Sequence, residues 1–148
     1  MSHTTTIKSV PIRDIRALRS AVADLQASGV KCELVQNQAP RLYYQNQHGK
    51  CDYVLKLHDS PYDVGFDKQA DGTYAQVTDL YGGHIQRQLG ATCPMPNSPE
   101  GRSQAAIGKL MQGYSKHAAI NAAVDQGYMV ENSYMDADNN VHLTISAY

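Results

Sequence analysis

The spacing of apolar residues divides the chain into two helical stretches and several that alternate. From residue 13 to 28 (RDIRALRSAVADLQAS), Ile15, Leu18, Val22 and Leu25 recur three and four apart, which predicts an amphipathic helix. Asp14 is placed to cap it and Gly29 to stop it. Arg13, Arg16 and Arg19 fall beside the apolar stripe, the arrangement of a solvated helix face. The period then drops to two. VKCELVQ and CDYVLKL read as strands, and YDVGFDKQADGTYAQVTDL reads as a hairpin turning at Asp71 and Gly72. Gly65 interrupts the first strand of that hairpin and marks a bulge or the close approach of another backbone.

Regular patterning dissolves between Tyr81 and Arg102, which predicts a long irregular excursion at about 83–102, with YGGHIQRQLG able to form a short helix inside it. Gly82, Gly83, Pro94 and Pro96 deny this stretch regular pairing, so it is expected to be mobile or to pack on a second subunit. A second helix follows over roughly 103–126, closed by Gly127. At about 100° per residue, Leu110, Tyr114, Val124 and Tyr128 share one face, with His117 and Asn121 in its middle. Two polar side chains are thus expected to point toward the core, where leaving one unpartnered costs about 1–3 kcal/mol. Either they bond to each other and to strand backbone, or they line a pocket. The last stretch, YMVENSYMDADNNVHLTISAY, alternates on both sides of an Asp/Asn-rich turn and reads as a hairpin. This order predicts a single α+β domain over residues 1–148, its mostly antiparallel sheet carrying two main helices packed on one face.

Composition narrows the function classes. A net charge of -1 supplies no basic field, so nucleic acid is disfavoured as a partner. No apolar run reaches bilayer length and the N-terminus lacks the layout of a signal peptide, so a cytoplasmic protein with no membrane partner is expected, in a bacterial host if phage-encoded. Cys32, Cys51 and Cys93 are odd in number and form no C-x-x-C, which points to reduced, inert thiols. No metal or other cofactor is expected. Ten tyrosines against one phenylalanine and no tryptophan favour half-buried positions and a surface that recognises something.

The stretches MSHTTTI, YDVGF, DLYGG and YSKHAAINAAVDQGY together resemble, in the same order and over nearly the whole chain, the hypothetical chloroplast reading frame thirty-five family of plastids, cyanobacteria and bacteriophages, which is domain of unknown function twelve fifty-seven. The matching positions are Ser2, His3, Tyr62, Asp63, Gly65, Phe66, Asp79, Gly82, Tyr114, His117 and Gly127. Leu80 and Tyr81 stand where the family pattern tends to carry a tryptophan pair, and the stretch between Gly83 and Ser103 is longer than in the usual member. The resemblance implies no established activity.

Enzyme templates find little support: the chain has no phosphate-binding Gly loop, no H-E-x-x-H and no G-x-S-x-G. The candidate ligand-binding residues are His3, Tyr62, Asp63, Asp79, Tyr81, Tyr114, His117 and Asn121, and no residue is assigned a catalytic role. His3 is expected near the second helix, on a strand face shared with Thr5, Ile7 and Ser9. The expected function is non-enzymatic binding of a small polar or nucleotide-like molecule, such as a host signalling nucleotide sequestered by a bacteriophage protein, because Tyr rings stack and His, Asn and Asp give directional bonds. The alternatives are a subunit of a larger assembly, with an ATPase or as a homo-oligomer, and a hydrolase that pairs His with Asp63 or Asp79.

Overall fold

The computed structural model describes residues 4–44, 48–90, 106–135 and 141–147. The elements run β1 (Thr4–Ile12), α1 (Ile15–Ala27), β2 (Cys32–Gln38), β3 (Cys51–Leu57), β4 (Val64–Lys68), β5 (Tyr74–Asp79), α2 (His84–Leu89), α3 (Gly108–Asp125), β6 (Tyr128–Met135) and β7 (Val141–Ala147). Five strands form one antiparallel sheet in the order β1-β5-β4-β3-β2, and β6 and β7 form a separate antiparallel pair. The fold is α+β.

Strand alternation gives the large sheet two different faces. Cys32, Leu55, Leu57, Val64 and Phe66 meet the stripe Leu18, Val22 and Leu25 of α1 and Leu110, Met111 and Tyr114 of α3, all buried. Each such aliphatic or aromatic side chain removed from water contributes about 1.5–3 kcal/mol, so this side holds most of the packing energy. The helices approach closely because Gly113 lacks a side chain: a Cβ there stands 3.2 Å from the Cβ of Ala21. The opposite face carries a smaller cluster of Leu42, Cys51, Val54 and Val77. It is covered by the segment after β2, whose Pro40 packs toward Cys51 and Gly65. Gly65 is small for that reason, since a Cβ on it falls 2.6 Å from Cys51 Sγ and 3.1 Å from Pro40 Cγ.

The first helix and the central hairpin form where the spacing predicts them. Asp14 caps α1 by accepting from the amides of Arg16 (2.9 Å) and Ala17 (3.2 Å). The β4–β5 turn closes with Gln69 N–H donating to the Thr73 carbonyl at 2.7 Å, while Asp71 Oδ1 accepts from the Thr73 amide and hydroxyl. Residues 84–89 of the expected excursion are α2, which drives Ile85 and Leu89 to zero exposure. Residues 91–102, Cys93 among them, lie outside the described residues. The second helix departs from its predicted face. It buries Leu110, Met111 and Tyr114, whereas Val124 is 48% and Tyr128 37% exposed, because only its N-terminal half lies over the core. Among the described residues, no helix is long and apolar enough to cross a membrane.

Candidate functional site

Tyr62 and Asp63 come from the β3–β4 connection, Asp79 and Tyr81 from the end of β5 and the turn after it, and the sheet brings them to one end. Asp79, fully buried at the end of β5, accepts the Tyr43 amide on Oδ2 at 3.1 Å and the Tyr81 amide on Oδ1 at 3.0 Å. One carboxylate therefore fixes two tyrosine backbones. Their rings meet edge to face with centroids 5.2 Å apart, and Tyr44 stands edge-on to Tyr43 at 4.9 Å. All three rings remain about half exposed. Beside them Tyr62 is buried and lies edge-on to His84 at 5.7 Å. Loss of solvent first, then the negative charge of Asp79 and the neighbouring Tyr43 and Tyr81, push the Tyr62 hydroxyl up from its usual value. Arg87 completes the group: its Nη1 donates to the Gly82 carbonyl at 3.0 Å and its Nη2 to His84 Nδ1 at 2.7 Å. Because Arg only donates, His84 Nδ1 is the acceptor in that contact.

Asp63 is a structural anchor within the same end. Its Oδ1 accepts from Arg41 Nη2 (2.8 Å) and the Leu57 amide (3.2 Å), and its Oδ2 accepts from the Arg41 amide (2.9 Å) and Nε (3.0 Å). The Asp63 amide donates back to the Arg41 carbonyl at 2.9 Å. This fork ties the segment bearing Tyr43 and Tyr44 to the β3–β4 connection. Among the described residues, the hydrogen-bond partners of Asp63 and Asp79 are backbone amides and Arg41.

Tyr114, His117 and Asn121 belong elsewhere. They point at α1, not at the sheet as the helical spacing predicts, and each holds a group on or just before that helix. Tyr114 Oη accepts the amides of Arg13 (2.8 Å) and Asp14 (3.1 Å). His117 Nε2 lies 2.7 Å from Asp24 Oδ2, with 22% of the imidazole exposed, and Asn121 Nδ2 donates to Asp14 Oδ2 at 2.9 Å. Among the described residues neither His117 nor Asn121 bonds to the other or to strand backbone; their partners are carboxylates on and just before the neighbouring helix. Burial alone pushes the Asp14 carboxyl up, but the hydrogen bonds from Asn121 and the Ala17 amide, with the charge of Arg16, outweigh it and leave it below its usual value. His3 lies outside the described residues; the described part of β1 begins at Thr4, which pairs with Asp79.

The residues that sequence reasoning missed at the tyrosine end are Tyr43, Tyr44, His84, Arg87 and Arg41. The adjacent Tyr43–Tyr44 pair between two strands was the available signal for the first two. The thiols of Cys32 and Cys51 are free and buried. Burial first, then the charge of Asp67, pushes the Cys51 thiol up to about 12, and burial raises Cys32 as well.

Residues 21–144 match the family described as Protein of unknown function (DUF1257). The chain belongs to that family. No curated protein and no solved structure matches it.

Proposed function

For this DUF1257 chain we propose that the tyrosine end of the sheet binds a small polar or nucleotide-like molecule and releases it chemically unchanged. The observation that carries this reading is the double use of Asp79: its two oxygens hold the Tyr43 and Tyr81 amides, so two half-exposed rings are set in place before any ligand arrives. Rings fixed in advance lose little freedom on stacking. Arg87 supplies a cation beside them, which suits an anionic or phosphorylated group.

The test is calorimetric titration of the full chain with a panel of nucleotides and small polar anions, followed by chromatography of the recovered ligand. Tyr43→Ala and Tyr81→Ala should each weaken binding about 5- to 150-fold, because a base stacked on an aromatic ring contributes about 1–3 kcal/mol. His117→Ala should leave affinity unchanged. Turnover of any panel member, or equal affinity in the tyrosine variants, rejects the proposal.

A second reading, a subunit of a larger assembly, is favoured by a separate observation. Val124, Tyr128, Met129 and Ile145 expose apolar surface along the end of α3 and the β6–β7 pair.

A further inference from the structure

On the sheet face turned away from the helices, three metal-ligating side chains converge that the tyrosine site does not use. His48 Nε2, Cys51 Sγ and a carboxylate oxygen of Asp67 all lie within 4.8 Å of one another. His48 Nε2 contacts Asp67 Oδ2 directly. The local chain explains the convergence. His48 and Cys51 are separated by Gly49 and Lys50, and Gly49 has φ 91°, a left-handed conformation that turns the chain sharply between the two ligands. Asp67 arrives from the adjacent strand, two residues beyond Gly65 and on the same side of β4. The missing side chain of Gly65 is what makes room for the sulfur, as the 2.6 Å approach shows.

We propose that His48, Cys51 and Asp67 form a binding site for a divalent borderline cation, Zn²⁺ by preference, with a fourth position open. Nitrogen, sulfur and oxygen donors together suit Zn²⁺ and not the oxygen-only preference of Mg²⁺ or Ca²⁺. Tetrahedral bonds of about 2.0–2.3 Å set donor atoms about 3.3–3.8 Å apart, so a separation at the 4.8 Å limit closes by about 1 Å while the touching His48–Asp67 pair opens to admit the cation. His48 sits on a turn, outside any strand, and the partial exposure of His48 and Asp67 (34% and 30% of the side chains) leaves the cation a path from solvent. On binding, the cation replaces the thiol proton, which passes to solvent, and the thiolate and carboxylate together balance its two positive charges while the imidazole ligates in its neutral form. A nucleophilic role for the same trio fits less well, because Cys51 is 1% exposed and an attacking thiol must be reached by its substrate. The site is independent of the tyrosine end and stands or falls separately from it.

The test uses the full metal-free chain titrated with Co²⁺ and, in competition with a chromophoric chelator, with Zn²⁺. One cation per chain is expected, and the Co²⁺ adduct should show thiolate-to-metal charge transfer and the strong visible bands of tetrahedral cobalt. His48→Ala and Asp67→Asn, both at partly exposed positions, should fold normally by circular dichroism and bind at least about 100-fold more weakly, since even loss of an outer-shell partner costs about 10–100-fold. Cys51→Ser should abolish the charge-transfer band; if it does not fold, the other two variants decide. His58→Ala, at an exposed histidine elsewhere in the chain, should bind like wild type. Absence of the thiolate band, or unchanged affinity in His48→Ala and Asp67→Asn, overturns the proposal and leaves an ordinary His–Asp pair over a buried thiol.

Discussion

The α1–α3 seam and the tyrosine end of the sheet are built from the same residue types, yet they spend them differently. At the seam, Tyr114, His117 and Asn121 each direct a polar atom at a partner in the chain, leaving little to offer a ligand. At the tyrosine end, Asp79 and Asp63 absorb backbone amides and one arginine, and the rings they position stay half exposed. Composition alone does not separate cohesion from recognition. What separates them is whether the polar atom or the ring face is left over.

The largest effect should come from cutting the anchor of the tyrosine end. Asp63→Ala strands the Leu57 and Arg41 amides and unpairs Arg41. Breaking a buried ion pair costs about 3–5 kcal/mol, and because Arg41 is itself half exposed the lower end, about 3 kcal/mol, is expected in urea unfolding. A loss under about 1 kcal/mol would show that the fork contributes little. At the seam, Tyr114→Phe deprives two amides of their acceptor and should cost about 1–3 kcal/mol while leaving binding at the tyrosine end intact. Reduced ligand affinity in the folded variant would erase the division between the two regions.

A smaller, pH-dependent effect belongs to Asp14. Its folded carboxyl lies below the unfolded value of 3.8, so the stabilisation is complete above that value and is lost as the pH falls through the lower folded value. Asn121→Ala should therefore lower stability by about 1 kcal/mol at neutral pH, with the gap from wild type closing as acid is added below about pH 4. A gap that stays constant down to pH 2 would show that Asn121 acts through packing. The smallest change in stability, within about 0.5 kcal/mol, is expected for Tyr81→Ala, whose ring is half exposed, even though it should weaken binding as much as Tyr43→Ala does.

Elements governed by local chemistry were legible in the sequence. The Asp14 cap, the stripe of α1 and the turn at Asp71 each depend on neighbours a few residues away, and the alternation of the strands fixed the α+β class. A helical wheel assigns residues to a face but does not say what that face meets. The spacing of His117 and Asn121 aims them at the core only where the helix lies on it, and the second half of α3 leaves the core. The grouping of Tyr43 with Tyr81, Arg41 with Asp63, and Asp67 with His48 depends on strand order and on the course of the segment after β2. Neither is written in the spacing of one strand.

The order of the large sheet also dictates the sequence of events by which it assembles. Strands β2 to β5 are successive neighbours, as when Leu55 pairs with Val64, but β1 pairs Ile7 with Gln76 and must return across the whole meander. Closing the longer loop costs about 2 kcal/mol more entropy than closing the short one. The meander can therefore nucleate first, with β1 as the late arrival. Only Arg13 and Asp14 separate β1 from α1, so that one closure also commits the first helix and presents both amides to Tyr114.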